Sequence, residues 1–294
     1  MVSSVGSGSV LFTPRVGSRY GYELLWAALI IIVLMWVMIR EVGRYTVVTG
    51  RTILAGYRDV PGPRGWAVWL IVLPGLVAGA AVIAGVAALA ASALMLVLPG
   101  GQGLYATLII LVSGAIVLLG RYRGVERLTV AMSAVLILSV VGTAVVVGPD
   151  LNELASGAVP SLPADLDWYF IMPWIGFILA GAGGILWYSY WVSARGYGGE
   201  VLDEWGTGEG TAFVAAGALI EGDDTRIGRL QQWKRVMSGA ALLGVGAGGL
   251  VIVAFLVLGA ELLRPEGVVP EGIDVAADLA RLLSEVWARP GTGC

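Results

Sequence analysis

Phe177 to Arg195 reads FILAGAGGILWYSYWVSAR, an apolar stretch of membrane-spanning length with five small residues, Ala180 to Gly184, at its centre. Each glycine in a helix interior costs about 1 kcal/mol relative to alanine. In hydrocarbon, a broken backbone is tolerated only where protein shields it or where it lines a cavity. Two readings follow. The small residues let a neighbouring helix approach closely, or they mark a discontinuous helix of the kind that secondary transporters use to present freed carbonyls to a substrate.

Composition sets the class in which that choice is made. Of 294 residues, 57% are hydrophobic and 13% charged, against about 25% charged in a soluble domain, and the mean hydropathy is +0.85. This predicts an all-α polytopic membrane protein, multi-pass in the cell membrane, whose first partner is the lipid bilayer. The Met1 region lacks a charged n-region and cleavage site, so the spans themselves are expected to direct insertion. The single cysteine, Cys294, excludes an intramolecular disulfide, and the absence of histidine removes the commonest transition-metal ligand and proton shuttle. A net charge of −3 argues against nucleic acid as a partner.

Apolar runs able to cross about 30 Å of hydrocarbon lie at Leu24–Ile39, Trp66–Leu98, Leu104–Leu119, Leu128–Val147, Trp168–Val192 and Val236–Leu258. Taken as single spans, they place every arginine-rich connection on one side: Arg40 to Arg64, Arg121 to Arg127, and Arg195 to Arg235. The positive-inside rule makes that side cytoplasmic. The uncharged connection Pro99–Gly103 and the acidic one carrying Asp150, Glu153, Asp165 and Asp167 are then external. Pro74-Gly75 offers a kink in the second span. Gly196 to Lys234 reads as a loop holding a short interfacial helix, and the tail contains VAADLARLLSEVW at helical spacing, an amphipathic external helix. The domain boundary falls at 260, with a transporter domain at 1–260 and an external loop at 261–294.

No acidic residue lies well inside a span, and no nucleophile, base or metal-ligand set is present, so neither an enzyme nor a resident cofactor is expected. The entry Ser3 to Ser9, SSVGSGS, resembles half of a second broken helix, although glycine and serine also make flexible termini.

The motifs GSRYGYELLW (Gly17–Trp26), RYTVVTGRTI (Arg44–Ile53) and VGPDLNELASGAVPSLP before the fifth of these runs resemble the natural-resistance-associated macrophage protein (Nramp) family of divalent metal transporters. That resemblance implies a partial LeuT-type inverted-repeat fold with broken first and sixth helices. It places the family's metal-binding Asp-Pro-Gly-Asn at Gly6-Ser7-Gly8-Ser9. The sixth-helix Met-Pro-His-Asn falls at Gly181-Ala182-Gly183-Gly184, beside Ala180, and a later histidine at Tyr188. The family's charged and thioether ligands are all replaced, leaving backbone carbonyls and the hydroxyls of Ser7, Ser9 and Ser189. The proton-carrying carboxylates of the family's third helix are likewise missing from Trp66–Leu98.

The resemblance therefore implies a transporter whose cargo is a weakly bound or hydrated metal cation. A neutral organic solute, or a scaffold that no longer transports, are the rival readings. It also implies that the chain is a piece of a longer protein, with the first span cut short at about Pro14. The exposed break is then expected to recruit another protein or a second copy of the chain.

Overall fold

A computed structural model describes residues 7–95, 97–119, 122–178, 181–194 and 224–269. Among the described residues the regular structure is helical throughout, with no strand. The helices are α1 (Ser7–Tyr20), α2 (Leu25–Thr49), α3 (Ile53–Gly56), α4 (Trp66–Met95), α5 (Gln102–Leu119), α6 (Tyr122–Val147), α7 (Leu151–Gly157), α8 (Trp168–Phe177), α9 (Gly181–Ala194) and α10 (Asp224–Leu258). A π-helical turn, Gly259–Leu263, extends α10.

Four helical segments, Leu25–Thr49, Trp66–Met95, Arg127–Val147 and Gln231–Leu263, are long and apolar enough to cross a membrane, and the shorter Gln102–Leu118 is also apolar. Their outward faces are rich in large apolar side chains: Leu70, Leu76 and Val77 on α4 and Leu108, Leu111 and Leu118 on α5 are all exposed. In water such faces would be a liability, whereas lipid accepts them without cost. Within the run at 66–98, Trp66–Met95 is one helix through Pro74, in line with the single span that the arginine count requires.

The ends are set by local chemistry. Asp150 caps α7 by accepting from the amides of Asn152 at 2.8 Å and Glu153 at 3.3 Å, and Asp167 caps α8 by accepting from Tyr169 at 3.0 Å and Phe170 at 3.2 Å. At the far end of α2, Gly50 takes φ +65° and its amide returns to the Thr46 carbonyl at 2.9 Å, a left-handed stop that suits glycine.

The structure corrects three expectations. The first helix does not end near Pro14 but runs through it to Tyr20; a membrane helix keeps an internal proline where neighbouring elements pack around it. The segment Asp224–Lys234 is not part of a loop, because no glycine pair or proline interrupts it and it forms the opening turns of α10. In the span 168–192 the glycines are not the described point of departure: α8 stops at Phe177, Ile178 turns to ψ 129°, and Gly181 to Gly184 already belong to α9, while Leu179 and Ala180 lie outside the described residues. Glycine is less costly there, since a first turn has few intrahelical bonds to lose. The amphipathic helix expected at 275–287 and the segment 196–223 lie outside the described residues.

The chain divides into two compact units, one of Ile32–Ala78 with Ala180–Gly246, the other of Val2–Ile31, Gly79–Leu179 and Ala247–Cys294. In the second unit, α1 packs on α8 and on the π-turn after α10. Phe12 stacks on Phe177 with ring centroids 5.9 Å apart, Thr13 meets Trp174, and Arg15 lies over Phe170 at 4.9 Å. Position rises along α1 as it falls along α8, so the two helices are antiparallel. In the first unit, Val47, Val192 and Met237 form a buried cluster from α2, α9 and α10, with Tyr188 and Trp233 packed against it.

Candidate functional site

The residues singled out in the sequence fall into both units, and each group has its own environment. In the second unit, Ser7, Gly8 and Ser9 form the start of α1, while Gly6 lies outside the described residues. Ser9 is fully buried and its hydroxyl has no hydrogen-bond partner among the described residues. A buried hydroxyl left unpaired costs about 1–3 kcal/mol, and such a group warrants a reason. One turn further on, Thr13 is also fully buried, but its hydroxyl accepts from the Trp174 indole at 3.2 Å. Among the described residues, α1 thus carries two buried polar atoms without a partner, the Ser9 hydroxyl and the Arg15 Nε, and the hydroxyl is the uncharged one.

In the first unit, Ala180 lies outside the described residues, and Gly181 and Gly184 sit in the first turn of α9. Gly183 has open space where a side chain would stand. Ile178 leaves the α-helical backbone with ψ 129°, and the chain is α-helical again at Gly181, so the regular α-helical hydrogen bonding of one continuous span does not run through Ile178.

Tyr188 and Ser189, two turns along α9, have other duties. Tyr188 packs against the Val47, Val192 and Met237 cluster. Ser189 is fully buried and accepts from the Ile53 amide at 2.7 Å, with the Thr46 hydroxyl 3.1 Å away. The Thr46 proton goes to the Val42 carbonyl at 3.0 Å, so the Ser189 proton must serve the Thr46 contact. A directional chain results, from the Ile53 amide through Ser189 and Thr46 to Val42, that fastens the first residue of α3 to α9 and α2. Thr46 was not anticipated as its partner; only its place within RYTVVTG could have signalled it.

This assigns Ser189 a structural part, and its removal measures it. Ser189→Ala strands the Ile53 amide and one acceptor of Thr46, and should lower the unfolding free energy by about 1–3 kcal/mol. Thermal unfolding in detergent reads the change; a shift within the scatter of surface substitutions would show that the hydroxyl chain contributes nothing.

No cluster of three acidic or sulfur ligands that could hold a metal exists among the described residues. The chemistry on offer is backbone carbonyls, helix-end amides and the Ser9 hydroxyl, all uncharged and all hard donors or acceptors. Uncharged oxygens alone bind a dication weakly, because formal charge supplies most of the attraction that replaces its water.

A family model described as natural resistance-associated macrophage protein-like matches residues 1–289. No curated protein matches the chain.

Proposed function

We propose, since the chain belongs to the natural resistance-associated macrophage protein family and is thus a metal ion transporter of the Nramp type, that it carries a weakly held or still hydrated cation. The cargo is handled at two stretches: Gly6 to Ser9, with the Ser9 hydroxyl as its side-chain ligand, and Ala180 to Gly184, through backbone groups at the helix break. The observation that carries this reading is the break itself. An apolar run long enough for one span is divided at Ile178 and restarts on glycine at Gly181, with no charged side chain in the described first turn of α9. A break without charge favours a cation that keeps part of its water over one that must shed it.

The orientation follows from the arginines: the connections carrying Arg58, Arg123 and Arg229 face the cytoplasm, and those carrying Gly101 and Asp165 face outward. A neutral organic solute is the second reading, supported by the same lack of formal charge.

Manganese binding to the purified protein tests the proposal. The unmodified chain should bind Mn2+ weakly in titration calorimetry. Restoring charge and thioether together, with Gly6→Asp and Gly181→Met, should tighten binding by about tenfold or more. No gain in a monodisperse double variant would remove the two stretches from the cargo site. Tight Mn2+ binding by the unmodified chain would overturn the weak-cation assignment.

A further inference from the structure

We infer that residues 150–167 form a strap that closes over the end of α1 remote from Ser9 and opens as a unit, with Glu261 as its main catch. Within one compact unit, this segment is joined to the end of α1 and the turn after it almost wholly by polar contacts. The Asp150 amide donates to Glu261 Oε1 at 3.3 Å, and the same oxygen accepts the Tyr22 hydroxyl at 2.7 Å. The Trp26 indole donates to the Ser161 carbonyl at 2.8 Å. At the far end Asp167 pairs with Arg19 at 3.2 Å, and its amide donates to the Tyr20 hydroxyl at 3.0 Å.

Between these ties the apolar anchorage of the strap is small: Leu151, Val159 and Leu162 are 73%, 63% and 65% exposed, Leu154 and Leu166 are half-buried, and only Gly157, which packs against Tyr22, and Pro163 are buried. What the strap touches is the opposite in character: Tyr20, whose hydroxyl accepts from the Asp167 amide, and Tyr22, against which Gly157 packs, are 2% and 4% exposed, and Leu24 and Leu25, which follow them in the chain, are 3% and 4% exposed. Segments held by a few exposed hydrogen bonds with few buried apolar contacts open locally at a small fraction of the global cost. Glu261 is the catch because one carboxylate oxygen bridges the strap and the turn. Burial, the Glu261 hydrogen bond and the nearby charges of Glu261, Glu153 and Asp150 all push the Tyr22 phenol well above its usual range. Tyr22 thus remains a donor at physiological pH. The assignment of the strap to the outer face rests on the orientation proposed above; the strap itself does not.

Accessibility of a buried thiol tests this without any cargo. In a Cys294→Ser background, Leu24→Cys reports opening, and Val251→Cys, fully buried beyond the strap in α10, reports unfolding. Glu261→Ala should raise the labelling rate at position 24 by about tenfold while position 251 stays protected. Glu261→Gln, which keeps an acceptor, should fall between. Combining Glu261→Ala with Asp167→Ala should raise labelling further, since both ends are then free. Unchanged labelling at position 24 in the double variant would overturn the strap. So would equal increases at positions 24 and 251, which would make Glu261 a general structural residue.

Discussion

Gly259→Ala is expected to lower the recovery of folded protein sharply, although it adds one methyl group. A Cβ at this position would fall on the Pro14 carbonyl oxygen and 2.8 Å from Pro14 Cα. From the other side, a Cβ on Gly17 would meet the Leu256 carbonyl oxygen and stand 3.1 Å from the Ala260 amide nitrogen. In both cases the obstructing atoms are backbone, which cannot rotate aside as a side chain can. Overpacking a well-fitted site usually costs about 1–3 kcal/mol, and more when the backbone must move. Gly259→Ala combined with Gly17→Ala should therefore cost about 2–6 kcal/mol or more, enough to consume a margin at the lower end of the typical range of about 5–15 kcal/mol. Gly75→Ala on α4 is the control: nothing lies within 4 Å of the added carbon, and the change should stabilise the helix by up to about 1 kcal/mol. Detergent-solubilised yield and unfolding temperature distinguish the three. Wild-type stability of Gly259→Ala would mean that α1 does not cross the π-turn at backbone contact.

Trp174→Ala should be nearly as damaging, for a different reason. The ring is fully buried between α8 and α1 and bonded to the Thr13 hydroxyl at 3.2 Å. Deleting a buried tryptophan typically costs about 3–5 kcal/mol through lost burial and the cavity left behind. Trp174→Phe keeps most of the volume and loses the indole donor, so it should cost only about 1 kcal/mol. Unfolding of both variants in detergent separates the contributions. If the phenylalanine variant were as unstable as the alanine one, the hydrogen bond rather than the packing would dominate the contact between α1 and α8.

Much of this architecture was open to reading from the sequence because hydrocarbon imposes a length and a polarity on anything that crosses it. The arginine pattern made the run at 66–98 one span, and Trp66–Met95 is one helix; the small-residue run left close packing and a break open, and the family resemblance chose the break. Position within that run was less legible. Glycine lowers helix stability wherever it stands, but the backbone turns where the neighbouring packing allows it, which put the change of direction at Ile178 and left the glycines to begin α9. The first span was expected to reach only to about Pro14, because the resemblance places the start of the chain inside that span. The packing of α1 against the π-turn and α8, which holds the helix together through Pro14, involves residues some 160–250 positions away and leaves no local trace. Ser189 followed the same logic. A lone serine near a helix break reads as a ligand until Thr46 and Ile53 are seen to use it. Ser9 could be named from the motif alignment, but that it is buried and unpaired is a fact of three dimensions.

The continuity of α10 has a further consequence. At about 1.5 Å per residue its 35 residues extend about 52 Å, well beyond the hydrocarbon thickness of about 30 Å. The excess belongs to the opening turns, which carry Arg226, Arg229, Lys234 and Arg235 with Trp233 among them. These residues open the part of α10 that belongs to the first unit, so whatever grips them sets the depth of that part of the helix. Each basic side chain near an anionic leaflet contributes about 1 kcal/mol of attraction, which falls away over a Debye length as salt is added. The opening of the helix thus works as a float gauge: the phospholipid charge at one surface, and the ionic strength above it, adjust the height at which those turns stand.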